Sequence, residues 1–292
     1  MHLDKHLKTL ILQHNRSVAL CEEFQRTRDP SAPLNSKPTF DRRVVRILTP
    51  GTLIDETFLN PYENNFLLAI IRTNGVNEPY ESNQEVGLAW TDVSTGEFFT
   101  RKISMREFKD HLVRINPREV VLDQSLKFKS ADLIRTILYE ENIFVSYAST
   151  SREHLKDQEI TPENDTDDII SEELQDVAPT TFSRAETIAT LLLTSFLHSN
   201  LMEHSPQSFH PSRENVSRRM QIDAHTLKSL EIRENIREGG QSGTLMSAIK
   251  RTVTSSGTRL LARWLCTFLP SLLYYSHLRL VHQVHLVPQL KK

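Results

Sequence analysis

The 292-residue sequence predicts an α/β domain built on a mixed sheet with helices, followed by the start of an all-helical domain. The first observation is a series of short apolar or alternating segments between residues 66 and 147, which predicts five strands and two helices. The second is that apolar residues after residue 184 recur only at helical spacing. Three strands followed by helix, strand, helix and strand fit a ribonuclease-H-like sheet, although several other α/β folds share this order.

The elements are predicted in chain order. Strands are expected at 66–71, 85–93, 97–103, 118–123 and 143–147, the second and third joined by a tight turn at 94–96. Helices are expected at 105–115, 131–139, 184–202 and 227–236. Residues 244–266 are expected to form either one long amphipathic helix or a helix pair, interrupted near 255–257. Ahead of the sheet come one apolar helix face (Leu3, Leu7, Leu10, Ile11), a buried strand at 17–24 and a basic segment at 42–48 that ends at Pro50-Gly51. Proline-containing stretches at 28–38 and 204–211 predict loops.

The charges are unevenly distributed. The 35 Lys and Arg residues nearly balance the 37 Asp and Glu residues, so the formal net charge is only −2. Residues 244–292 nevertheless carry seven basic residues and no acidic residue. Residues 152–176 carry ten acidic residues against Arg152 and Lys156. A solvated insertion is the simplest interpretation of that acidic segment, and a divalent-metal site is the alternative.

Composition excludes several classes of protein. No stretch approaches the ~18–20 apolar residues of a membrane span, and Met1–Leu12 contains no signal-peptide apolar region. The two cysteines, Cys21 and Cys266, form neither a disulfide framework nor a CxxC site. The eight glycines include no GxxxxGK[ST] or GxGxxG motif, so a P-loop NTPase is not encoded within these 292 residues.

Two sets of residues are candidates for metal chemistry. Asp92, Glu97 and Asp123 lie at or near the ends of predicted strands, where ribonuclease-H-like nucleases hold metal ions with carboxylates. The simpler alternative makes Asp92 and Glu97 turn and hairpin residues. His277, His282 and His285 lie close together in sequence, but scattered surface or core histidines are commoner than metal ligands.

Two basic clusters are candidates for contacting DNA phosphates. Arg42, Arg43 and Arg46 form the first, and Lys250, Arg251, Arg259 and Arg263 form the second. On a helix, Arg259 and Arg263 share a face. A solvated face explains the spacing equally well, so both interpretations stay open.

Three segments of the chain resemble one family in the family's own order. They are 42–56 (RRVVRILTPGTLIDE) with 63–70 (ENNFLLAI), 86–98 (VGLAWTDVSTGEF), and 230–235 (LEIREN) with 243–245 and 251–265 (RTVTSSGTRLLARWL). The family is the DNA mismatch-repair family MutS. The segment 18–24 (VALCEEF) resembles the mitochondrial branch of this family in fungi.

The resemblance implies a domain map. Residues 1–48 resemble the end of the mismatch-recognition domain, 60–203 the ribonuclease-H-like connector domain, which has no nuclease chemistry, and 215–266 the start of the helical core domain. Residues 268–292 no longer resemble the family, and a translated intron or a frameshift is one hypothesis for them. The resemblance also implies mismatched double-stranded DNA, a homodimer and downstream repair proteins as partners of the family, and mitochondria, or alternatively the nucleus, as its location.

The departures from the family pattern shape the expected activity. The family reads mismatches with a Phe-x-Glu motif and hydrolyses ATP with Walker motifs and Mg²⁺, and neither motif occurs in these residues. We therefore expect a mismatch-repair fragment that is not itself an enzyme, with no catalytic, cofactor-binding or metal-binding residue. The alternatives are a protein-interaction connector module without DNA binding and, more remotely, a metal-dependent nuclease.

Overall fold

The computed structural model describes residues 3–25, 40–54, 59–60, 63–72, 84–128, 132–149, 182–202, 211–214 and 222–267. Two compact units divide the chain. The first comprises Met1–Asn60, Asn64–Phe108 and Ile115–Arg213, and the second comprises Pro61–Glu63, Lys109–Arg114 and Glu214–Lys292. None of the described helices combines the length and the apolar character that a membrane crossing requires.

The first unit begins with helix α1 and a two-stranded sheet. Helix α1 (Leu3–Lys8) continues into a π-helical turn (Thr9–Gln13), and strands β1 (Val18–Gln25) and β2 (Phe40–Leu48) pair antiparallel. Only half of the predicted apolar helix face is buried: Leu7 and Ile11 pack with Leu48 and Leu53, whereas Leu3 and Leu10 are exposed. The regular α-helix ends at Lys8, so the spacing of 3.6 residues per turn that predicted one common face does not continue to Leu10 in the π-helical turn.

A six-stranded mixed sheet forms the body of the first unit and confirms the predicted fold class. The strands lie in the spatial order β7-β6-β3-β4-β5-β8, with β3, β4 and β5 antiparallel and β6, β7 and β8 parallel to their neighbours. Their bounds are Phe66–Arg72 (β3), Glu85–Asp92 (β4), Glu97–Ser104 (β5), Glu119–Asp123 (β6), Phe144–Ala148 (β7) and Ser212–Arg213 (β8). Sequence reasoning missed β8, because two polar residues carry no strand pattern.

Within the described residues, three helices accompany these strands. They are α2 (Phe108–Ile115, after a short 3-10 turn at Met105–Glu107), α3 (Leu133–Glu140) and α4 (Arg184–Leu201). Helix α4 begins at a capping box, in which the Ser183 hydroxyl accepts from the Glu186 N–H and the Glu186 carboxylate accepts from the Ser183 N–H.

Helix α4 covers one face of the sheet. Side chains of alternate strand residues, among them Leu67, Ala69, Ala89, Phe98 and Val121, form one core with the buried face of α4. Gly87 allows the closest approach of strand and helix, since a β-carbon there would lie 2.1 Å from the carbonyl oxygen of Ala185. At Gly87, which has no side chain, the backbone of β4 therefore packs directly against the backbone of α4.

In the second unit, residues 222–267 form three short helices, α5 (Ala224–Ser229), α6 (Leu245–Ile249) and α7 (Ser255–Leu265). The helix predicted at 227–236 is shorter and earlier, because the chain turns at Leu230–Ile232 instead of continuing the apolar spacing. Of the two alternatives for 244–266, the structure has the helix pair. Ser255 starts the second helix, and Thr254 caps it by accepting from the Gly257 N–H. The loop 28–38, the segments 152–176 and 268–292, and most of 204–211 lie outside the described residues.

Candidate functional site

A buried polar junction joins the end of β2 to the sheet. It consists of the turn Thr49–Thr52 together with Asn65, Glu119 and Ser146. Glu119 begins β6 and is fully buried, and its carboxylate accepts from the Gly51 N–H at 2.8 Å and from the Ser146 hydroxyl at 2.5 Å. The Thr49 hydroxyl is a third partner of the same carboxylate. The Glu119 carboxylate thereby binds both the turn, through Gly51 and Thr49, and the neighbouring strand β7, through Ser146.

A second set of hydrogen bonds holds the other side of the turn. The Asn65 side chain donates to the Pro50 carbonyl oxygen at 3.0 Å, and the Asn65 N–H donates to Asp92 at 3.0 Å. Asp92 also accepts from the Ser94 N–H at 3.0 Å and from the Ser94 hydroxyl at 2.6 Å. Because buried polar groups are costly when unpaired, this network gives the turn a single position against the sheet.

The geometry does not favour the nuclease hypothesis. Asp92 is fully buried and serves as an acceptor for the β3 start and for the β4–β5 turn, while Glu97 lies opposite it in the β4–β5 register. Asp123 lies at the other end of β6, about 13 Å from the β6 start at 3.3 Å per residue, and it accepts from the Ser125 N–H. Across the described part of the chain, no three His, Cys, Asp or Glu side chains are grouped to hold a metal ion. His277, His282 and His285 lie outside the described residues.

Two buried glutamates of this unit have pKa values shifted in opposite directions. Burial raises the pKa of Glu119 above its usual range, against the lowering effect of its hydrogen bonds from Ser146, Thr49 and Gly51. Burial also acts to raise the pKa of Glu186, but the hydrogen bonds from Arg213 and Ser183 outweigh it and lower that pKa. Arg213 donates to both oxygens of Glu186, at 3.1 and 2.6 Å, and lies over the Phe182 ring. This bidentate pair fastens β8 to the start of α4.

These opposite shifts predict opposite pH dependences of stability. The pKa of Glu119 is raised in the folded state, so its contribution to stability is complete below the unfolded-state pKa of ~4.5 and is lost as the pH rises through the folded-state pKa. Glu119→Gln should therefore flatten the curve of unfolding free energy against pH above pH ~4.5. The pKa of Glu186 is lowered in the folded state, so its contribution to stability is present above the unfolded-state pKa of ~4.5 and is lost as the pH falls through the folded-state pKa. Glu186→Gln should therefore flatten the same curve below pH ~4.5. The second effect is about 1 kcal/mol or less, because the Arg213 side chain is 43% exposed.

Urea unfolding of the two variants and the natural chain between pH 3 and 8 measures both effects, and each variant is the control for the other. Curves that change in the same pH range for both variants would contradict the assignment.

The three arginines of the first basic cluster lie on strand β2, two of them exposed and one buried. Arg42 pairs with Glu23 at 2.7 Å, and Arg43 lies opposite Glu22 in the register and over the Phe24 ring. Arg46 is only 7% exposed, so its side chain is directed into the first unit rather than toward solvent. Phosphate contact by Arg42, Arg43 and Arg46 stays a prediction, and the structure places acidic neighbours beside two of the three.

The second basic cluster lies on and before α7. Arg259 and Arg263 are half-buried one turn apart on α7, with Arg259 donating toward the Ser256 hydroxyl. Lys250 and Arg251 lie in the connection before the helix, and Arg251 is exposed. Arg259 and Arg263 therefore share a helix face as predicted, whereas Lys250 and Arg251 lie in the loop before the helix. Their contact with phosphates also stays a prediction.

The second unit has its own anchoring contacts. Arg114 donates to both oxygens of Glu214, at 2.8 and 2.6 Å, and Asp110 accepts from the Ala224 N–H at 2.7 Å. A small core is formed by Leu227, Ile232 and Cys266, with Val113, Ile222 and Leu265 packed around it. Burial raises the pKa of the Cys266 thiol, which makes it a core residue rather than a reactive one.

Sequence reasoning did not single out Glu119, Asn65 or Arg213. The signal for Glu119 is an acidic residue that opens an otherwise apolar strand (EVVLD), since a charge inside a buried strand requires partners. Asn65 and Arg213 carry no such signal. Their partners, Pro50 and Glu186, are brought to them only by the fold.

A buried polar junction, a mixed sheet covered by a helix and a second unit of short helices define a multidomain protein of mixed α/β class. Family models match the chain in this order: MutS domain I at residues 1–57, MutS domain II at 65–207 and MutS domain III at 225–271. The chain belongs to the MutS family of DNA mismatch repair proteins.

Individual relatives agree with the family models. The chain is similar to the DNA mismatch repair protein MutS of Rhodopseudomonas palustris strain HaA2, at 33% identity over 260 residues, and to that of Wolbachia pipientis wMel, at 30% over 251 residues. These alignments cover 89% and 86% of this chain, but 27% of each relative. The chain thus spans about a quarter of the length of the curated relatives it matches.

Proposed function

We propose that this chain forms the connector-bearing part of a DNA mismatch repair protein and transmits the position of its first domain to the rest of the molecule. The polar junction is the observation that carries this proposal. The turn Thr49–Thr52, which follows β2, is fixed by three hydrogen bonds to Glu119 and Asn65. Asn65 is held in turn by the hydrogen bond from its N–H to the buried Asp92. A rigid link of this kind passes a displacement on, whereas a flexible linker would absorb it.

We further propose that the chain contacts duplex DNA through phosphates rather than through bases. Support comes from the exposed Arg251 and from the acid-free segment around Arg259 and Arg263. Each phosphate contact releases a counterion, so affinity should fall linearly with the logarithm of salt concentration. The sequence carries no Phe-x-Glu motif, and we expect matched and mismatched duplexes to bind within about twofold of each other, ~0.4 kcal/mol.

The test is a salt titration of binding to a labelled duplex. Replacing Arg259 and Arg263 by Gln should weaken binding and reduce the salt slope by about 1.8, that is ~0.9 for each lost phosphate contact. The matched control replaces Lys5 and Lys102, two exposed lysines of the first unit, by Gln. Equal slopes for the two double variants would contradict the phosphate contacts. A several-fold preference for a mismatch would contradict the expected lack of base recognition, and an absence of binding would leave only the connector function.

We also propose that the chain belongs to the fungal mitochondrial branch of the family. The support is the resemblance of the segment 18–24 to that branch, in the strand β1. Imaging of the tagged gene product in its own cells tests the mitochondrial location against a nuclear one.

A further inference from the structure

Helix α2 binds the segment that follows strand β8. Arg114 donates to both carboxylate oxygens of Glu214, at 2.8 and 2.6 Å. Asp110, one turn earlier on the same helix face, accepts from the Ala224 N–H at 2.7 Å. These residues all belong to the second unit, and Glu214 is its first residue after β8. The Arg114–Glu214 pair therefore fixes the point at which the chain passes from β8 into the second unit.

His111 is a third member of this arrangement. Its Nδ1 atom lies 3.1 Å from Nη2 of Arg114, and the same Nη2 atom donates to Glu214. A guanidinium group has donors and no acceptor, so Nδ1 is the acceptor of this hydrogen bond. An imidazole that accepts at Nδ1 is neutral and carries its proton on Nε2. The contact therefore exists only while His111 is unprotonated.

The three side chains are largely shielded from water. His111 and Glu214 are buried, and the Arg114 side chain is 16% exposed. A hydrogen bond lost at a buried position is not replaced by water, so its loss costs more than it would at the surface. A change in the protonation of His111 is therefore felt by its partners.

Several charged or titratable side chains surround the contact between His111 and Arg114. Within the described residues they are Asp110 on helix α2, Glu214 after β8, and the Cys266 thiol, which interacts with both Arg114 and Arg233. Asp110 and Glu214 already accept from Ala224 and Arg114. A proton on Nδ1 would place two positively charged donors face to face at 3.1 Å, and both would compete for Glu214.

We propose that His111 is a pH-sensitive switch that controls the Arg114–Glu214 pair. The neutral imidazole completes the pair, and protonation of the imidazole releases Glu214 from helix α2. The paired state excludes a proton from Nδ1 and the released state admits one, so a fall in pH favours release. An ordinary histidine titrates near pH ~6.5, which places the change between about pH 7.5 and pH 5. The switch does not depend on the proposed function, because it concerns contacts within the second unit.

A glutamate-specific protease measures the release of Glu214. Cleavage after Glu214 requires its carboxylate to leave Arg114, so the cleavage rate follows the fraction of released molecules. Cleavage after Glu238, which is exposed in the same unit, corrects for the pH dependence of the protease itself. In the full 292-residue chain, the ratio of the two rates should rise about tenfold from about pH 7.5 to pH 5, equivalent to ~1.4 kcal/mol. Mass spectrometry of the fragments provides both rates, and circular dichroism verifies folding.

Two histidine variants assign the response to one residue. In His111→Asn, the amide oxygen takes the place of Nδ1 and does not titrate, so the ratio should change by less than about twofold over the same range. His225→Asn is the matched control, because His225 is an exposed histidine of helix α5, and it should keep the full increase. An increase that persists unchanged in His111→Asn would contradict the proposal.

A second measurement needs no variant to fold. Long-range ¹H–¹⁵N correlation spectra of the natural chain distinguish the two neutral forms of an imidazole, and His111 at about pH 8 should carry its proton on Nε2. A proton on Nδ1 at that pH, or a ratio of cleavage rates that stays constant from about pH 7.5 to pH 5, would overturn the proposal.

Discussion

Gly87→Ala is expected to destabilise the first unit by more than about 3 kcal/mol, a large part of the ~5–15 kcal/mol that stabilises a typical domain. The new β-carbon would lie 2.1 Å from the carbonyl oxygen and 2.4 Å from the carbonyl carbon of Ala185. Both atoms are backbone, so no side-chain rotation can relieve the overlap. Either β4 or the start of α4 must move, and the core shared by the sheet and α4 then loses contacts.

Fluorescence provides the measurement, because the two tryptophans lie in different units. Trp90 is buried in β4 and Trp264 lies in α7, so a Trp264→Phe background makes emission report on the sheet alone. Gly96→Ala in the turn between β4 and β5 is the matched control: a β-carbon there meets nothing within 4 Å, and the cost is only the ~1 kcal/mol of a left-handed residue at φ +73°.

A compensating change sharpens the prediction. Ala185→Gly removes the side-chain contact at 2.9 Å but leaves the two closer backbone contacts, so it should not rescue Gly87→Ala. Equal urea midpoints for Gly87→Ala and Gly96→Ala would show that the strand and the helix are less closely packed than this.

Glu119→Ala is expected to have the second largest effect, about 2–4 kcal/mol of destabilisation. The substitution leaves the Gly51 N–H and the Ser146 and Thr49 hydroxyls without their acceptor inside the protein, and it opens a cavity. Removing a buried carboxylate also removes its desolvation cost, which offsets part of the loss. Glu119→Gln, which keeps one acceptor oxygen, should cost about 1 kcal/mol.

Hydrogen exchange locates this effect in the junction. Exchange of the Gly51 amide should accelerate at least tenfold in Glu119→Ala, equivalent to ~1.4 kcal/mol, while amides of the β4–β5 hairpin keep their protection. Uniform acceleration would mean that Glu119 supports the whole sheet rather than the turn, and unchanged protection of Gly51 would contradict its role as an anchor.

Most of the sheet could be predicted from the sequence. The segments Phe66–Arg72 and Glu119–Asp123 are apolar over the length of one strand, and the turn at Ser94–Gly96 marks the hairpin between β4 and β5. Helix α4 could be predicted to within one residue of its end, because its apolar residues recur at helical spacing from residue 184 on. These features depend on neighbours within a few positions, which a sequence displays directly.

The candidate site could not be predicted in the same way. Glu119 and Gly51 are 68 positions apart, and Glu186 and Arg213 are 27 apart. Asp92 and Asp123, which the sequence treated as alike, are separated to opposite ends of the sheet by the strand directions. Arg42 and Arg46 belong to one basic segment, yet the packing of β2 exposes the first and buries the second.

From the sequence alone, the resemblance of three segments indicated the family. Apolar periodicity and turn residues predicted the class of the sheet, because such patterns act over short distances. Only the tertiary structure decided which polar residues are buried together, which charges remain at the surface and which strand ends the sheet. Those properties depend on strand direction and on register. A shift of the register by one residue would place every side chain of a strand on the opposite face.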